Sequence, residues 1–201
     1  MYTPKYALND DLNTIQKFIQ ENSFAILVSS LDEKIVATHL PLQFSSDQSC
    51  LFGHISKANP QWKCFDKGGE VMAIFSGPHA YISSSWYDHE NVPTWNYIAV
   101  HVYGSIQIIQ GEALKKTLAE LMHKYEQFSS NPMSIEKMTP AYVDKAIQGL
   151  VGFKLVISHI EASYKLSQNR DKTNHQRIID ELEKNDDSGS IEIAHEMKKR
   201  A

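Results

Sequence analysis

Cysteine is nearly absent from this chain of 201 residues, with only Cys50 and Cys64 present. Two thiols exclude a disulfide framework and a four-cysteine zinc site, so both are expected as ordinary reduced thiols. Arginine is almost as scarce, limited to Arg170, Arg177 and Arg200. Lys plus Arg totals 20 against 24 Asp plus Glu, a formal charge of −4. That balance argues against a protein whose affinity rests on neutralising nucleic-acid phosphates. No apolar run approaches the roughly 18 residues that a membrane span requires. The opening MYTPKYALNDDL also lacks the apolar stretch of a signal peptide. No internal repeat or low-complexity tract is found. The expectation is a soluble cytoplasmic globular protein, and a chain of this length buries roughly 70% of its extended surface.

Hydrophobic periodicity orders the chain. Asn9 to Asn22 reads as a first helix, capped by Asn9, with Leu12, Ile15, Phe18 and Ile19 on one face. Strand patterns follow at Phe24 to Ser29, Ile35 to Phe44 and Cys50 to His54, the first two separated by a polar turn. Asn59-Pro60 predicts a cap and first helical position, opening a short helix that Gly68-Gly69 ends. Val71 to Ser76 reads as a buried strand, and Gly77 to Thr94 as a long irregular loop. Trp95 to Ile109 is the longest strand candidate, with Gly104 expected at a bulge or bend. Glu112 to Phe128 predicts an amphipathic helix, Thr139-Pro140 starts a shorter one, and Val151 to Ile160 is a closing strand. Two more helices are expected beyond Asp171, the last from Ile191. Mostly antiparallel strands with a few helices predict an α+β fold built on a small barrel.

Chemistry concentrates between His39 and His101, which hold five of the nine histidines and all three tryptophans, Trp62, Trp86 and Trp95. Three readings stay open at this point. A metal site is one, although no histidine pair has the H-x-x-x-H spacing of a helical zinc site. Aromatic core and interface packing is the second, with histidines satisfying local hydrogen bonds. The third is a flat aromatic ligand with an anionic tail, which needs stacking surface, hydrogen-bond donors and a cation. Gly53-His54-Ile55-Ser56-Lys57-Ala58-Asn59-Pro60 bears on the third reading. A strand end delivers His54, Ser56 and Lys57 just ahead of a helix start, where free N–H groups favour an anion.

The runs ATHLPL (Ala37 to Leu42), GHISKANPQW (Gly53 to Trp62), IFSGPHAYISSSWY (Ile74 to Tyr87), VPTWNYIAVHVYG (Val92 to Gly104) and KLSQNR (Lys165 to Arg170) resemble the PaiB family. That family comprises FMN-binding negative transcriptional regulators. The resemblance implies the FMN-binding split β-barrel of pyridoxamine-phosphate oxidases and flavin reductases, mostly antiparallel with peripheral helices. It implies residues 1–170 as the barrel domain with its N-terminal helix. Residues 171–201 would form a helical extension packed on the barrel or the dimer. By position, Ser56 and Lys57 fall where such oxidases hold the FMN phosphate, and His54 stands where they often carry threonine. His39, Leu40 and Pro41 would run along the isoalloxazine. Because the flavin of split barrels lies between subunits, a homodimer is implied, with Ser83, Trp86, Trp95 and Asn96 lining the site from either chain. Lys165, Ser167, Gln168 and Arg170 would close it. One departure is plain: the family reads Ser-Pro-Ser-Trp-Tyr where this chain has Ser83-Ser84-Ser85-Trp86-Tyr87.

Three functions follow from the resemblance: an FMN-binding homodimeric regulator, an FMN-dependent oxidoreductase, and a haem-binding split barrel for which His175 and His195 are the candidates in the tail. DNA is the partner implied by the regulator label. Charge speaks against direct contact, since residues 171–201 hold six basic and eight acidic side chains, and no helix-turn-helix pattern is present.

Overall fold

In the computed structural model, which describes residues 1–200, the chain alternates long strands with short helices. Helix α1 (Leu12–Glu21) buries Ile15, Phe18 and Ile19. Its cap is Asp11, whose side chain accepts from Thr14 N at 3.1 Å. Asn9, the expected cap, instead accepts from Asp11 N at 3.0 Å, two residues too early to serve the helix. Strands β1 (Phe24–Leu31) and β2 (Lys34–Pro41) form a hairpin. Its turn residues Asp32 and Glu33 both take positive φ, as a two-residue hairpin of native twist requires. The expected single strand to Phe44 breaks at Leu42, whose N–H donates to Ser23 O at 2.9 Å, leaving β3 (Gln43–Phe44) separate.

β4 (Cys50–Ser56) leads into a 3-10 turn over Pro60–Lys67 rather than an α-helix. β5 (Glu70–Ile82) overruns the predicted end at Ser76: past Gly77-Pro78 buried Ala80 and Ile82 resume a two-residue alternation, in the opposite parity to Val71, Ala73 and Phe75. The predicted long loop therefore shortens to residues 83–93. Then come β6 (Thr94–Ile109), α2 (Gly111–Glu126), α3 (Pro140–Gln148) and β7 (Leu150–Lys165). The tail forms α4 (Lys172–Leu182) and α5 (Ser188–Lys198). α5 starts three residues ahead of Ile191, since Asp187 accepts from Ser190 N at 2.9 Å and fixes the first turn there. The strands make one seven-stranded antiparallel sheet in the order β2-β1-β5-β6-β7-β4-β3.

The chain divides into two compact units. One spans Ser23–Ile74 and Val102–Ile160. Leu27, Leu42, Leu51, Phe153 and Leu155 are fully buried in it, and the Phe65 and Phe153 rings meet at 5.1 Å. Glycine is demanded at Gly104, where a Cβ would stand 2.0 Å from Val156 O, so the residue marks a close backbone approach inside an unbroken strand. Gln61 is 1% exposed and acts as a polar rivet: its Nε2 donates to Leu27 O at 2.9 Å and Ser29 Oγ at 3.0 Å. Its Oε1 accepts from Thr38 Oγ1.

The other unit comprises Met1–Asn22, Phe75–His101 and the chain from Glu161 on. Its core includes Ile82, Leu166 and the inner faces of α4 (Ile178, Ile179, Leu182) and α5 (Ile193, Ala194, Met197).

Candidate functional site

Strand alternation places His54 and Ser56 on one face of β4 and Gly53 and Ile55 on the other. Gly53 faces the interior, where a Cβ would meet Leu42 Cδ2 at 2.6 Å and Phe153 Cζ at 2.8 Å. His54 pairs with Gly152 of β7, and Leu114 packs over that glycine. The His54 ring is thus largely shielded, and its Nδ1 is buried without a hydrogen-bond partner among the described residues. Burial holds the imidazole below its ordinary pKa, so the neutral ring is favoured. Ser56 Oγ accepts from Ala58 N at 3.2 Å, which leaves its own proton free to donate. The exposed Lys57 side chain has no ion pair among the described residues, while its backbone is pinned on both sides. Lys57 N donates to Gly149 O at 2.9 Å, and its O accepts from Trp62 Nε1 at 3.0 Å. The chain therefore carries, at consecutive positions on a pinned backbone, a hydroxyl with an unspent proton and an ammonium with no ion pair among the described residues.

The backbone donors expected at this turn are already occupied. Asn59 N donates to Ser56 O at 2.9 Å, Gln61 N to Asn59 Oδ1 at 3.0 Å, and Pro60 has no N–H. Anion binding here falls to side chains instead. In the same unit, Leu40 is buried against Gly53, whereas His39 faces outward with its ring 6.3 Å from that of Phe24. Pro41 lies opposite Phe24 in the β1–β2 register.

The remaining candidates lie in the other unit. Trp95 is 52% exposed and sits between the rings of His79 (6.0 Å) and Tyr81 (5.8 Å), a surface patch of three aromatics. Neither His79 nor Tyr81 was singled out from sequence; their alternation with the apolar Ala80 and Ile82 was the signal that places them on one face. Asn96 is wholly buried, accepts from Ser167 Oγ at 3.1 Å, and approaches Met197 Sδ at 3.4 Å. Ser167 takes a positive φ of 60°, and Gln168 folds back to accept from Leu166 N at 2.8 Å and donate to Tyr164 O. These three side chains spend their hydrogen bonds on the turn after β7. Lys165 Nζ donates to Thr94 Oγ1 at 2.6 Å, and burial followed by the Arg170 charge lowers its pKa. The Arg170 guanidinium lies 5.1 Å over the Tyr87 ring. Ser83 caps the 3-10 turn Ser84–Trp86 by accepting from Ser85 N. Trp86 lines a polar cavity of about 470 Å³ with Arg177 and Lys184.

Among the described residues, no three His, Cys, Asp or Glu side chains converge as a metal ion would require. No helix among them is long and apolar enough to cross a membrane. Cys50 and Cys64 are both free and buried.

The backbone is similar to that of the flavocytochrome Anf3 from Azotobacter vinelandii, with a TM-score of 0.66 at 16% identity over 87% of this chain and 78% of that one. It is also similar to the FAD and heme binding protein from Mycobacterium smegmatis, with a TM-score of 0.65 at 12% identity over 85% and 78% of the two chains. The fold is that of the flavin-binding split barrels. Residues 1–159 match the model of the family described as "Putative FMN-binding domain". Over 200 residues the chain is 42% identical to the protease synthase and sporulation protein PAI 2 of Bacillus subtilis (strain 168), covering 98% of this chain and 97% of that protein. The chain belongs to the PaiB family of FMN-binding proteins.

Proposed function

We propose that this protein is a cytoplasmic, homodimeric FMN-binding regulator that holds the FMN phosphate on Ser56 and Lys57, with His54 beside them. The observation that carries this reading is a Lys57 ammonium with no ion pair among the described residues, one position after a Ser56 hydroxyl whose proton is unspent. The orphaned His54 Nδ1 adds a buried polar atom that lacks a partner, which fits an oxygen-rich anion. β2 stands at one edge of the sheet, so its outer backbone groups around His39, Leu40 and Pro41 are available to the polar rim of a flat ring. Buried Asn96 and Ser167, with half-buried Gln168, act by shaping the turn that carries Lys165 and Arg170. Trp95 and Trp86 are proposed as aromatic contacts, and Ser83 sets the turn that presents Trp86. Bound FMN supplies one- and two-electron redox chemistry of its own, and the chain's part is to bind and orient it.

The homodimer is supported by an apolar sheet face. The β1–β2 and β1–β5 registers put Phe24, Ile26, Val28, Ile35, Met72 and Ile74 on one outward surface, with Phe24 66% and Ile35 82% exposed. The related Bacillus subtilis protein is named for protease synthesis and sporulation. A net charge of −4 favours an effect on transcription through flavin or metabolite state over direct grip on DNA.

The test is a fluorescence titration with FMN. The intact chain quenches flavin emission stoichiometrically, and Lys57→Ala weakens FMN by about 1.5–3 kcal/mol, the range for a charge-assisted hydrogen bond. Unchanged affinity in that variant removes Lys57 from the phosphate site. A Soret band on adding haemin without flavin uptake would replace the FMN reading with haem. Steady nicotinamide oxidation by the FMN-loaded protein would make it an oxidoreductase.

A further inference from the structure

A cavity of about 830 Å³ in the unit that holds α1 and α5 contains none of the residues placed in the flavin reading. Its floor is apolar: Phe18, Pro78, Ile98 and the ring of Tyr164. Gly77 makes this floor possible, since a Cβ there would lie 2.5 Å from Phe18 Cε2; without one, the Phe18 ring rests on the β5 backbone. Tyr164 meets that ring edge-on, with centroids 5.9 Å apart. Tyr164 is 3% exposed, and its hydroxyl has no hydrogen-bond partner among the described residues. Burial pushes this phenol up to about 12, so it stays an O–H donor throughout the physiological range. The charges nearest that hydroxyl include Arg200, Glu196 and Glu21, all of which line the same cavity.

The walls carry both signs in equal number. α1 contributes Lys17 and Glu21, and the α5 end contributes Glu192, Glu196, Lys199 and Arg200. Three cations against three carboxylates leave no net field for a phosphate ester or a polyamine. Glu196 is held by Lys199 at 2.6 Å and by Arg200, whereas Lys17 and Glu21 are only loosely paired at 3.8 Å. Glu192 has no ion pair among the described residues. The Arg200 guanidinium lies 4.7 Å over the Tyr164 ring, which leaves donors beyond the one spent on Glu196. An apolar floor, balanced walls and one unspent neutral donor fit a zwitterion with an apolar side chain, and the volume lies in the range of small-molecule sites.

We propose that this cavity binds a free apolar α-amino acid, its carboxylate taken by Arg200 and the Tyr164 hydroxyl, its ammonium by Glu192, and its side chain by Phe18 and Ile98. The site is independent of the flavin reading. Calorimetric titration of the full chain with L-phenylalanine tests it, alongside 3-phenylpropionate, which lacks the ammonium, and phenethylamine, which lacks the carboxylate. Phenylalanine is expected to bind roughly tenfold or more tighter than either analogue. Arg200→Gln weakens it by roughly tenfold or more, and so does Tyr164→Phe. Lys57→Ala leaves phenylalanine binding unchanged, which separates this site from that for FMN. Arg200→Gln alters a partly exposed side chain just beyond α5, outside the buried core, so it stays informative if Tyr164→Phe misfolds. No heat at millimolar phenylalanine overturns the proposal. Equal binding of either analogue, or wild-type affinity in Arg200→Gln, overturns it too.

Discussion

At His54 a strand end commits an imidazole to a place where its Nδ1 finds no partner. Burial there disfavours the charged ring and holds its pKa below the ordinary 6.5. The unfolded chain then binds more protons than the folded one between the two pKa values. Stability contributed by this group is fully present above about pH 6.5 and is lost as pH falls through the depressed folded value. Burial lowers His101 and His175 in the same direction, so the three act together. Urea unfolding midpoints of the FMN-free protein are therefore expected to fall between about pH 7 and pH 5. His54→Phe should make that decline shallower, and an unchanged slope would clear His54 of the effect. The neighbouring Lys57 teaches a different lesson. Its value as a ligand comes from what it lacks, a carboxylate partner, and from a backbone bonded at both its N–H and its C=O.

Among the elements, β6 and β7 depend on Gly104 most directly. A methyl group there would stand 2.0 Å from Val156 O and 2.8 Å from Leu155 Cδ2, and backbone cannot retreat as a side-chain tip can. Gly104→Ala is expected to lower stability by about 2 kcal/mol or more, the scale of overpacking in a well-packed interior. A chemical-denaturation curve within about 0.5 kcal/mol of the parent would show that the strands can part without loss. The sequence marked Gly104 as a bulge or bend; the strand runs unbroken through it, and the missing Cβ serves close approach. Asn59-Pro60-Gln61 was legible in the same partial way. Its cap and proline were read correctly as a start signal, but the element is a 3-10 turn whose free N–H groups are already bonded. Gln61, silent in the sequence, is its most buried polar residue, because Leu27 O, Ser29 and Thr38 converge on it from strands far away in the chain.

For the molecule as a whole, the exposed Phe24 and Ile35 on one sheet face raise the question of a second copy. Sedimentation of the intact chain is expected at twice its 22.9 kDa mass. Phe24→Glu places a charge on that face and should shift the equilibrium toward the monomer with an unchanged circular-dichroism spectrum. A monomeric parent protein would assign the face to something other than self-association.

Local pattern by itself determined much here: the amphipathic stripe of α1, the polar turn of the β1–β2 hairpin, the Asn59 cap and the long β6. These depend on neighbours in sequence, for which periodicity and turn chemistry are sufficient. The motifs also carried the family and its cofactor, because five ordered runs lie along the chain with one departure, at Ser84. Tertiary structure alone decided which polar side chains remain available. Lys57 and Asn96 are both ligand candidates in the sequence, yet one ends with no ion pair among the described residues and the other wholly buried against Ser167 and Met197. The same holds for Tyr164, whose hydroxyl is orphaned only because α1, α5 and β7 close around it. Availability is set by contacts between residues far apart in sequence, and no local pattern encodes them.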